Sequence, residues 1–561
     1  MFRCNWEATN LQHSECCLTV YHSRRLSPKA IATDPGFKEV VRSYPNSPTK
    51  AIATAVNNLL CLRLPVRTLQ RARNEVLGNK ADLAAKDLAN IGALLEAYAK
   101  LNPSDIIDLD VDSANELLHW FIAFDNSSLA NGGILPTLFC DGAFIKNVVC
   151  PRFILVISAL NTERQLVILA IACVKNESTE TWVYMFSMFV RTALGGLVLC
   201  GRLVLMADRD GGLRAAASIV FPRAMLRFCI LHVIKNAKQA GVRGDFRLLI
   251  KFAKAGSLWE RDRLWQKLRE SSSRLVEWLV NSSLFDYQIQ AAPVVARGFP
   301  ICGCVTNNPA EIANSRMNRP LDAAQSLREM TPGPMLREAM QIFSAQSNRY
   351  REHILRTSSL SLRYTKYAVQ LFMQQQLESQ QYNVTVRGIF SYVVTRRATS
   401  TPGRPVYKDS NNFWHCECCF LVQYRLLCRH ILAVISFLES GHRPRLNVRR
   451  LLKQGGMGDM WGMSVYVNAF ASLEVLVPSA AEELRCSGQV RFPRNVQLPA
   501  PVPRRGRPKK NRIKSVREGL RASAMRSAGL PAGTRATMCS ICGRTDHNIR
   551  KCPYLYSVEE D

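Results

Sequence analysis

Three carboxylates, far apart in the chain, have the types and surroundings of a metal site. Asp141 and Asp208 each end an apolar, β-branched run, and Glu311 lies in a polar segment. A charged residue at the end of an apolar strand more often belongs to a functional site than to the packing of a core. Carboxylate oxygens suit Mg²⁺ or Mn²⁺, and two such ions can hold a phosphodiester between them. The residues therefore predict a divalent-metal centre for phosphoryl transfer on a nucleic-acid strand, since no glycine-rich nucleotide loop lies nearby.

Each carboxylate also has a purely structural interpretation. Asp208 could cap the helix that follows it, Glu311 could be a surface helix residue, and Asp141 could anchor a turn. Asp210 could be an accessory ligand. We prefer Asp208, because it directly follows the apolar run, and interpret Asp210 with the two glycines after it as a turn.

A second set of residues has the spacing of a zinc site. Two cysteines one residue apart, a loop of nine residues, and then a cysteine and a histidine one residue apart supply four ligands: Cys416, Cys418, Cys428 and His430. Thiolates and imidazole in this number hold Zn²⁺ in a closed tetrahedral site. The neighbouring His415 and Cys419 do not fit the spacing, so packing or exposure is their expected role.

The C-terminal part of the chain carries another four-ligand pattern. Its spacing, Cys-x2-Cys-x4-His-x4-Cys, is that of a retroviral-type zinc knuckle: Cys539, Cys542, His547 and Cys552. Knuckles engage single-stranded nucleic acid or proteins, and one this small needs the metal to fold. We therefore expect two structural Zn²⁺ ions per chain. The cysteines and histidines of the poorly patterned residues 1–45 could be the remnant of a zinc finger, but they fit no tetrahedral template well.

The composition points to a polyanionic partner. The 561 residues include 74 Lys and Arg against 44 Asp and Glu, a net charge of +30 that draws nucleic acid to the surface. A hydrophobic fraction of 47% allows a sizeable core, and the length allows several domains. The 19 cysteines are interpreted as thiols, because the N-terminus shows no signal segment and no charge-free run could cross a bilayer. We expect double-stranded DNA as a partner and no membrane; a merely soluble basic protein is the alternative.

Pro, Arg and Lys replace the apolar pattern in residues 477–535, which are predicted to form a linker. Within it, an Arg-Gly-Arg core with basic neighbours resembles an AT-hook: Arg504, Arg505, Arg507, Lys509 and Lys510. Such a core fits a narrow, A·T-rich minor groove, where the potential is most negative. The same run could serve as a nuclear localisation signal, so we expect a nuclear protein. A solvated basic linker is the alternative.

Residues 49–130 are predicted to be helical. Apolar spacing indicates a helix before Leu64 and Pro65 and an Arg-rich helix from Val66. A helix, a turn at a proline and an Arg-rich helix in this order are compatible with a DNA-binding helix-turn-helix motif. They are equally compatible with an ordinary helical hairpin whose charged face is solvated.

The clearest architecture lies in residues 134–320. Apolar runs and helical spacing predict strands at 134–140, 153–160 and 166–174, a helix at 179–194, a strand at 203–207, a helix at 212–220 and a strand at 225–231. This is an α/β sheet whose first and fourth strands end in acids, an order that resembles the ribonuclease-H-like fold. The other predicted units are a helical insertion at about 232–290, a helical region at 321–395, the first zinc module at 405–440 and the knuckle at 536–556.

Five motifs occur in a fixed order within roughly residues 60–440, at 141–144, 176–182, 208–222, 229–236 and 307–314. In this order they resemble the transposases of Mutator-like elements, and the first zinc module resembles the SWIM-type finger that follows many of them. The resemblance implies a catalytic triad of Asp141, Asp208 and Glu311. Cys229 and His232 either support the active site or simply pack, and Glu177 is interpreted as structural.

The resemblance implies an enzyme that cuts DNA at transposon ends and joins the 3′-hydroxyls to a target. Its DNA would be terminal repeats and A·T-rich sites, and a homo-oligomer is compatible with it. A domesticated DNA-binding regulator that kept the fold and lost the chemistry is the alternative, and a truncated genomic copy without function is a third possibility. The three acids favour the first, whereas the weak N-terminal pattern favours the second.

Overall fold

Two sheets organise the part of the chain that the computed structural model describes. Described residues are 27–43, 66–77, 80–145, 147, 150–208, 210–282, 289–317, 330–358, 363–397, 403–440, 457–486 and 491–498. The larger sheet has seven strands and the smaller has four. The larger sheet carries Asp141, with Asp208 directly after one of its strands, and the smaller sheet carries a predicted zinc ligand.

Among the described residues, five helices come first: α1 Pro28–Thr33, α2 Pro35–Ser43, α3 Val66–Leu77, α4 Lys80–Ala89 and α5 Ile91–Leu101. The first three share a small core of their own, built on Phe37, Val41 and Leu69. The helix α3 is the predicted Arg-rich helix. The helix predicted before it falls in residues 44–65, which lie outside the described residues, so the choice between a helix-turn-helix and a hairpin stays open.

The strands of the large sheet lie in the order β1-β2-β5-β4-β3-β6-β7. Their bounds are β1 Ile106–Val111, β2 Leu117–Ala123, β3 Ile134–Ile145, β4 Arg152–Asn161, β5 Leu166–Val174, β6 Val204–Ala207 and β7 Met225–Phe228. The strands β3, β4 and β5 are antiparallel neighbours, and β6 and β7 continue the sheet in parallel. The strands β5, β6 and β7 are buried along their whole length, which is why continuous apolar runs predict them. The mixed α/β sheet is thus confirmed.

The strands β1 and β2 correct the helical prediction for residues 49–130. Ile107 and Leu109 of β1 are buried whereas Asp110 is exposed, which is the period-two alternation of a strand. The strand β2 joins the sheet through antiparallel pairing with β5. A strand of six residues gives a weaker local signal than the longer helical pattern before it, so the helical prediction extended too far.

Helices cover the large sheet and connect its strands: α6 Ser127–Ala130, α7 Thr179–Val190, α8 Ala193–Leu199 and α9 Gly211–Val220. The helix predicted at 179–194 is therefore two helices. Among the described residues, no single helix has the length and apolar character to span a membrane. The pair α7 and α8 together meet that test but bend by 113° at their junction.

A mainly helical stretch follows β7, as the predicted insertion requires: α10 Ile230–Gln239, α11 Phe246–Lys254, α12 Leu258–Ser271, α13 Ser273–Asn281 and α14 Ala292–Ala296. Three further helices are α15 Asn308–Met317, α16 Pro332–Ser358 and α17 Lys366–Ser379. Tyr350 of α16 donates its hydroxyl to Leu166 O at the start of β5, at 2.6 Å. The helix α16 thus packs on the large sheet.

The small sheet contains β8 Tyr382–Gly388, β9 Ser391–Arg396, β10 Arg404–Lys408 and β11 Trp414–Cys416, followed by α18 Phe420–Tyr424 and α19 Arg429–Ser440. The strands β8 and β9 correct the helical prediction for residues 321–395 at its C-terminal end. They form a hairpin whose turn places Phe390 at a φ of 62°, and Tyr392 and Val394 face a core shared with α19. The tertiary packing of this alternating strand outweighs the helical pattern before it.

The C-terminal described residues return to the large sheet, which corrects the linker predicted from residue 477. They form a 3-10 turn Asp459–Trp461, α20 Met463–Phe470 and α21 Ala480–Cys486. The side chain of Asn115 donates to Arg494 O at 2.7 Å, and Phe492 and Val496 are buried. Two apolar side chains within a polar stretch therefore anchor the segment.

Candidate active site and zinc centre

Asp141 and Asp208 come from neighbouring strands. The strands β3 and β6 are parallel, and Phe139 pairs with Met206 in their register. The two acids each come two residues later, which places them near one another on the same side of the sheet. Both are partly buried. The sheet thus brings two carboxylates together that are distant in sequence.

Glu311 lies in the first turn of α15, which packs against β3 and β4. Asn307, directly before α15, donates from Nδ2 to Cys140 O at 2.7 Å. Asn314 donates from Nδ2 to Asp141 Oδ2 at 2.6 Å. These bonds attach α15 to β3 on both sides of Glu311, so the third acid is held near the first. Neither asparagine was assigned a role from the sequence, because only the fold shows what they contact.

A fourth carboxylate, Glu177, reaches the site from the loop between β5 and α7. A Cβ atom added to Gly142 would lie 2.3 Å from Glu177 Oε1, so this carboxylate rests against the backbone of Gly142. A Cβ atom added to Gly212 would lie 3.0 Å from Thr179 N, so that glycine lets α9 approach the start of α7 closely. Glu177, interpreted as structural from the sequence, therefore borders the acidic site. Its position just after a buried strand was the signal that could have found it.

The four carboxylates influence one another electrostatically. Burial raises the pKa of Asp141 to about 7, with added repulsion from the charges of Asp208 and Glu311. Burial also raises the pKa of Glu177 to about 7, with added repulsion from Asp210 and Asp208. Negative charge is therefore concentrated where a divalent cation would relieve the repulsion. Carboxylate oxygens that are partly exposed to solvent are suitable ligands for Mg²⁺ or Mn²⁺.

Asp210 has a structural role. Its side chain accepts a hydrogen bond from the backbone N–H of Leu213 at 3.0 Å and caps α9. Its own N–H donates to Asp208 Oδ1 at 3.1 Å and so orients that carboxylate. The capping role considered for Asp208 thus belongs to Asp210, and the predicted turn is the beginning of α9 at Gly211.

Cys229 and His232 contact the segment that carries Glu311. The N–H of Cys229 donates to Ala207 O at 2.8 Å, and its sulfur accepts the backbone N–H of Asn307. Burial raises the pKa of the Cys229 thiol to about 11. His232 Nε2 lies 3.7 Å from Glu311 Oε1. Both residues thus link β6 and α10 to α15.

The predicted zinc ligands converge in the small-sheet module. Cys416 ends β11, Cys418 follows it, and Cys428 and His430 lie at the start of α19. Their ligand atoms all lie within 4.8 Å of one another, and Cys416 Sγ is 3.5 Å from His430 Nδ1. Thiol hydrogen bonds from Cys416 and Cys428 lower the pKa of Cys418 well below its usual value, which favours the thiolate that binds zinc. The arrangement supports zinc binding.

The two neighbouring candidates are outside this cluster, as their spacing predicts. His415 Nε2 lies 2.8 Å from Asp409 Oδ2, and the His415 ring stacks on Tyr407. Cys419 Sγ donates to Glu417 O at 3.5 Å. Within the described ranges, the four-residue cluster is the only group of three or more Cys, His, Asp or Glu this tightly gathered. The three predicted acids do not form such a group in the described part of the chain.

Three sets of predicted residues lie outside the described part of the chain. They are the knuckle ligands at 539–552, the AT-hook-like run at 504–510 and the cysteines and histidines of residues 1–26. Their roles stay predictions.

Two segments of the chain match known families. Residues 137–236 match the MULE transposase domain, a stretch that contains Asp141, Glu177 and Asp208. Residues 393–439 match the SWIM zinc finger and contain the four clustered zinc ligands. Glu311 follows the first match and is placed beside it by the fold. A comparison with curated proteins finds no match. The chain therefore carries a MULE transposase domain followed by a SWIM zinc finger.

Proposed function

We propose that the chain is a DNA transposase of the Mutator-like type, which cleaves strands at transposon ends and transfers the 3′-hydroxyls to target DNA. The observation that carries this proposal is the position of Asp141 on β3 and of Asp208 directly after β6, the parallel neighbour of β3, with the Glu311 helix attached to β3 by Asn307 and Asn314. The test is a strand-cleavage assay on duplexes that carry the terminal inverted repeats flanking its coding region.

The proposal includes a ribonuclease-H-like core. Three antiparallel strands, β5, β4 and β3, are extended in parallel by β6 and β7, with helices between the parallel strands. This order supports the core, with Asp208 directly after β6 and Asp141 inside β3, which continues to Ile145 rather than ending at the acid as the apolar run predicted. The added strands β1 and β2 extend its other edge.

Asp141, Asp208 and Glu311 would hold two Mg²⁺ or Mn²⁺ ions. Bound ions supply positive charge to both ends of an in-line phosphodiester displacement. Asn314 fixes the Asp141 carboxylate, and the N–H of Asp210 fixes that of Asp208, so the ligands are preorganised.

The remaining modules would bind and locate the DNA. The knuckle would hold the second Zn²⁺ and engage single-stranded nucleic acid or protein. The run at 504–510 would enter A·T-rich minor grooves and direct the chain to the nucleus. The SWIM match and the net charge of +30 support nucleic-acid binding in general.

Glu177 is proposed as an accessory carboxylate of the acidic site. Glu177→Gln should lower Mg²⁺-dependent cleavage by roughly 10- to 100-fold, because groups around metal ligands tune affinity on that scale. The matched control is Glu180→Gln, which changes an exposed residue in the first turn of α7. Rates are measured under single-turnover conditions with both variants. Equal rates for the two variants would remove Glu177 from the site.

The raised pKa values predict a pH-dependent metal affinity. Metal ions bind the ionised carboxylates, whereas burial and repulsion hold Asp141 and Glu177 partly protonated near pH 7. Mn²⁺ affinity should therefore fall by about tenfold per carboxyl for each pH unit below about 7, and level off above it. The same groups ionise at lower pH when unfolded, so the metal-free fold loses stability as pH rises from about 4 to about 7. Equal Mn²⁺ affinities at about pH 6 and about pH 8 would contradict this prediction.

A further inference from the structure

A cavity of about 470 Å³ separates the helical insertion from the zinc module. The helices α11 and α12 form one wall, and α17 with the small sheet and the residues around the zinc cluster form the other. Cys418, Cys428 and His430 line it, so the zinc cluster belongs to the second wall. We call this cavity the basic groove.

Cations dominate the lining of the basic groove. One wall carries Arg247, Lys251, Lys254, Arg263 and Lys267. The facing wall adds Arg396, Arg404 and Arg429, of which Arg429 is ion-paired with Glu378. Glu260 is the single carboxylate among the described lining residues. Charges of one sign on both walls of a concave site focus the field inside it. This concentration of positive charge suits an anionic ligand.

The groove also contains an exposed tryptophan with two guanidinium groups over its ring. The Arg404 guanidinium carbon lies 4.9 Å from the ring centroid of Trp259, and that of Arg263 lies 5.6 Å from it. Trp259 is on α12 and Arg404 on β10, so this contact joins the insertion to the zinc module. The guanidinium groups are thereby held where they can meet phosphates.

The basic groove lies away from the acids. Arg164 lines it from the turn between β4 and β5, at the level where Ile134 pairs with Asn161. Asp141 is seven residues further along β3, which corresponds to about 23 Å at roughly 3.3 Å per residue. The part of the groove lined by Arg164 is therefore distant from Asp141.

We propose that the basic groove binds the phosphodiester backbone of DNA at a distance from the acidic site. This inference rests on the proposed function only in taking DNA as the ligand. Cations on two facing walls suit the repeated charges of a backbone, and the chain's net charge of +30 favours the same partner. An acidic peptide is the other ligand of suitable charge, and the experiment separates the two.

The test replaces three cations of one wall, Lys251→Gln, Lys254→Gln and Lys267→Gln together, in the full zinc-loaded chain. The control replaces three exposed lysines elsewhere: Lys29, Lys86 and Lys100. Binding of duplex and single-stranded oligonucleotides of equal length is measured by fluorescence anisotropy at several salt concentrations without Mg²⁺. For duplex DNA the groove variant should bind roughly tenfold or more weakly than the wild type. The slope of the logarithm of its binding constant against the logarithm of the salt concentration should decrease in magnitude by about 0.9 for each phosphate that the altered wall no longer neutralises.

The control should match the wild type, and zinc content and thermal unfolding should be the same for all three proteins. A larger loss of affinity for one oligonucleotide identifies that form as the groove's ligand. Equal DNA binding by groove and control variants would overturn the proposal, as would a loss of affinity seen only with poly-glutamate. Asp141→Asn separates this proposal from the catalytic one, because it should abolish cleavage and leave the salt slope unchanged.

Discussion

Asp141→Asn, Asp208→Asn and Glu311→Gln should each reduce Mg²⁺-dependent strand cleavage by roughly 10²- to 10³-fold or more, while DNA binding stays close to that of the wild type. Each substitution removes one ligand charge and nearly preserves the shape of the side chain. Cleavage is measured on terminal-repeat duplexes, and binding is measured on the same DNA without Mg²⁺.

Asp110→Asn is the matched control for these variants, because Asp110 is an exposed carboxylate on β1 of the same sheet. It should cut at the wild-type rate. If a triad variant also cuts at this rate, the residue that it replaces is not an essential metal ligand. A wild-type chain that binds its terminal repeats and never cuts them would favour the domesticated regulator over the transposase.

Cys428→Ser should remove one Zn²⁺ per chain and destabilise the small-sheet module on the order of several kcal/mol. Cys428 is fully buried and lies in the tight four-residue cluster, so the variant leaves three ligands around a metal that a closed site holds with four. Zinc is counted by metal analysis, and stability is followed by thermal unfolding. The affinity for DNA should fall when this Zn²⁺ is lost, because the zinc cluster lines the basic groove.

Cys419→Ser provides the control for zinc loss, since Cys419 is adjacent to the cluster and outside it. This variant should keep the wild-type zinc content. A Cys428→Ser protein that retains the full zinc content would exclude Cys428 as a ligand. Zinc content below about one ion per wild-type chain would exclude both zinc assignments.

The sequence predicts those parts of the fold that depend on a pattern within a short stretch of chain, such as an apolar run or a short spacing between metal ligands. The strands β4 and β5 are continuous apolar runs, and the zinc ligands lie within fifteen residues of one another, from Cys416 to His430. Asp141 and Asp208 could be found because each follows such a run. Hydrophobic burial and short ligand spacing are properties that a single sequence carries directly.

Contacts between distant segments could not be predicted in this way. The strands β1 and β8 are short and become strands through pairing with neighbours that the local pattern does not reveal. Glu177 reaches the acids only because Gly142 and Gly212 allow close approach of separate elements. The cation–π contact between Trp259 and Arg404 connects the helical insertion to the zinc module, and these two residues are far apart in sequence.

The most direct measurement of the acidic site is a count of bound Mn²⁺. Mn²⁺ is titrated into the zinc-loaded chain without DNA at about pH 8, where the carboxylates are ionised, and free Mn²⁺ is followed by electron paramagnetic resonance. The wild type and Asp110→Asn should each bind about two Mn²⁺ ions per chain that the double variant Asp141→Asn, Asp208→Asn does not bind. Equal Mn²⁺ binding by the wild type and the double variant would contradict a metal centre at these acids.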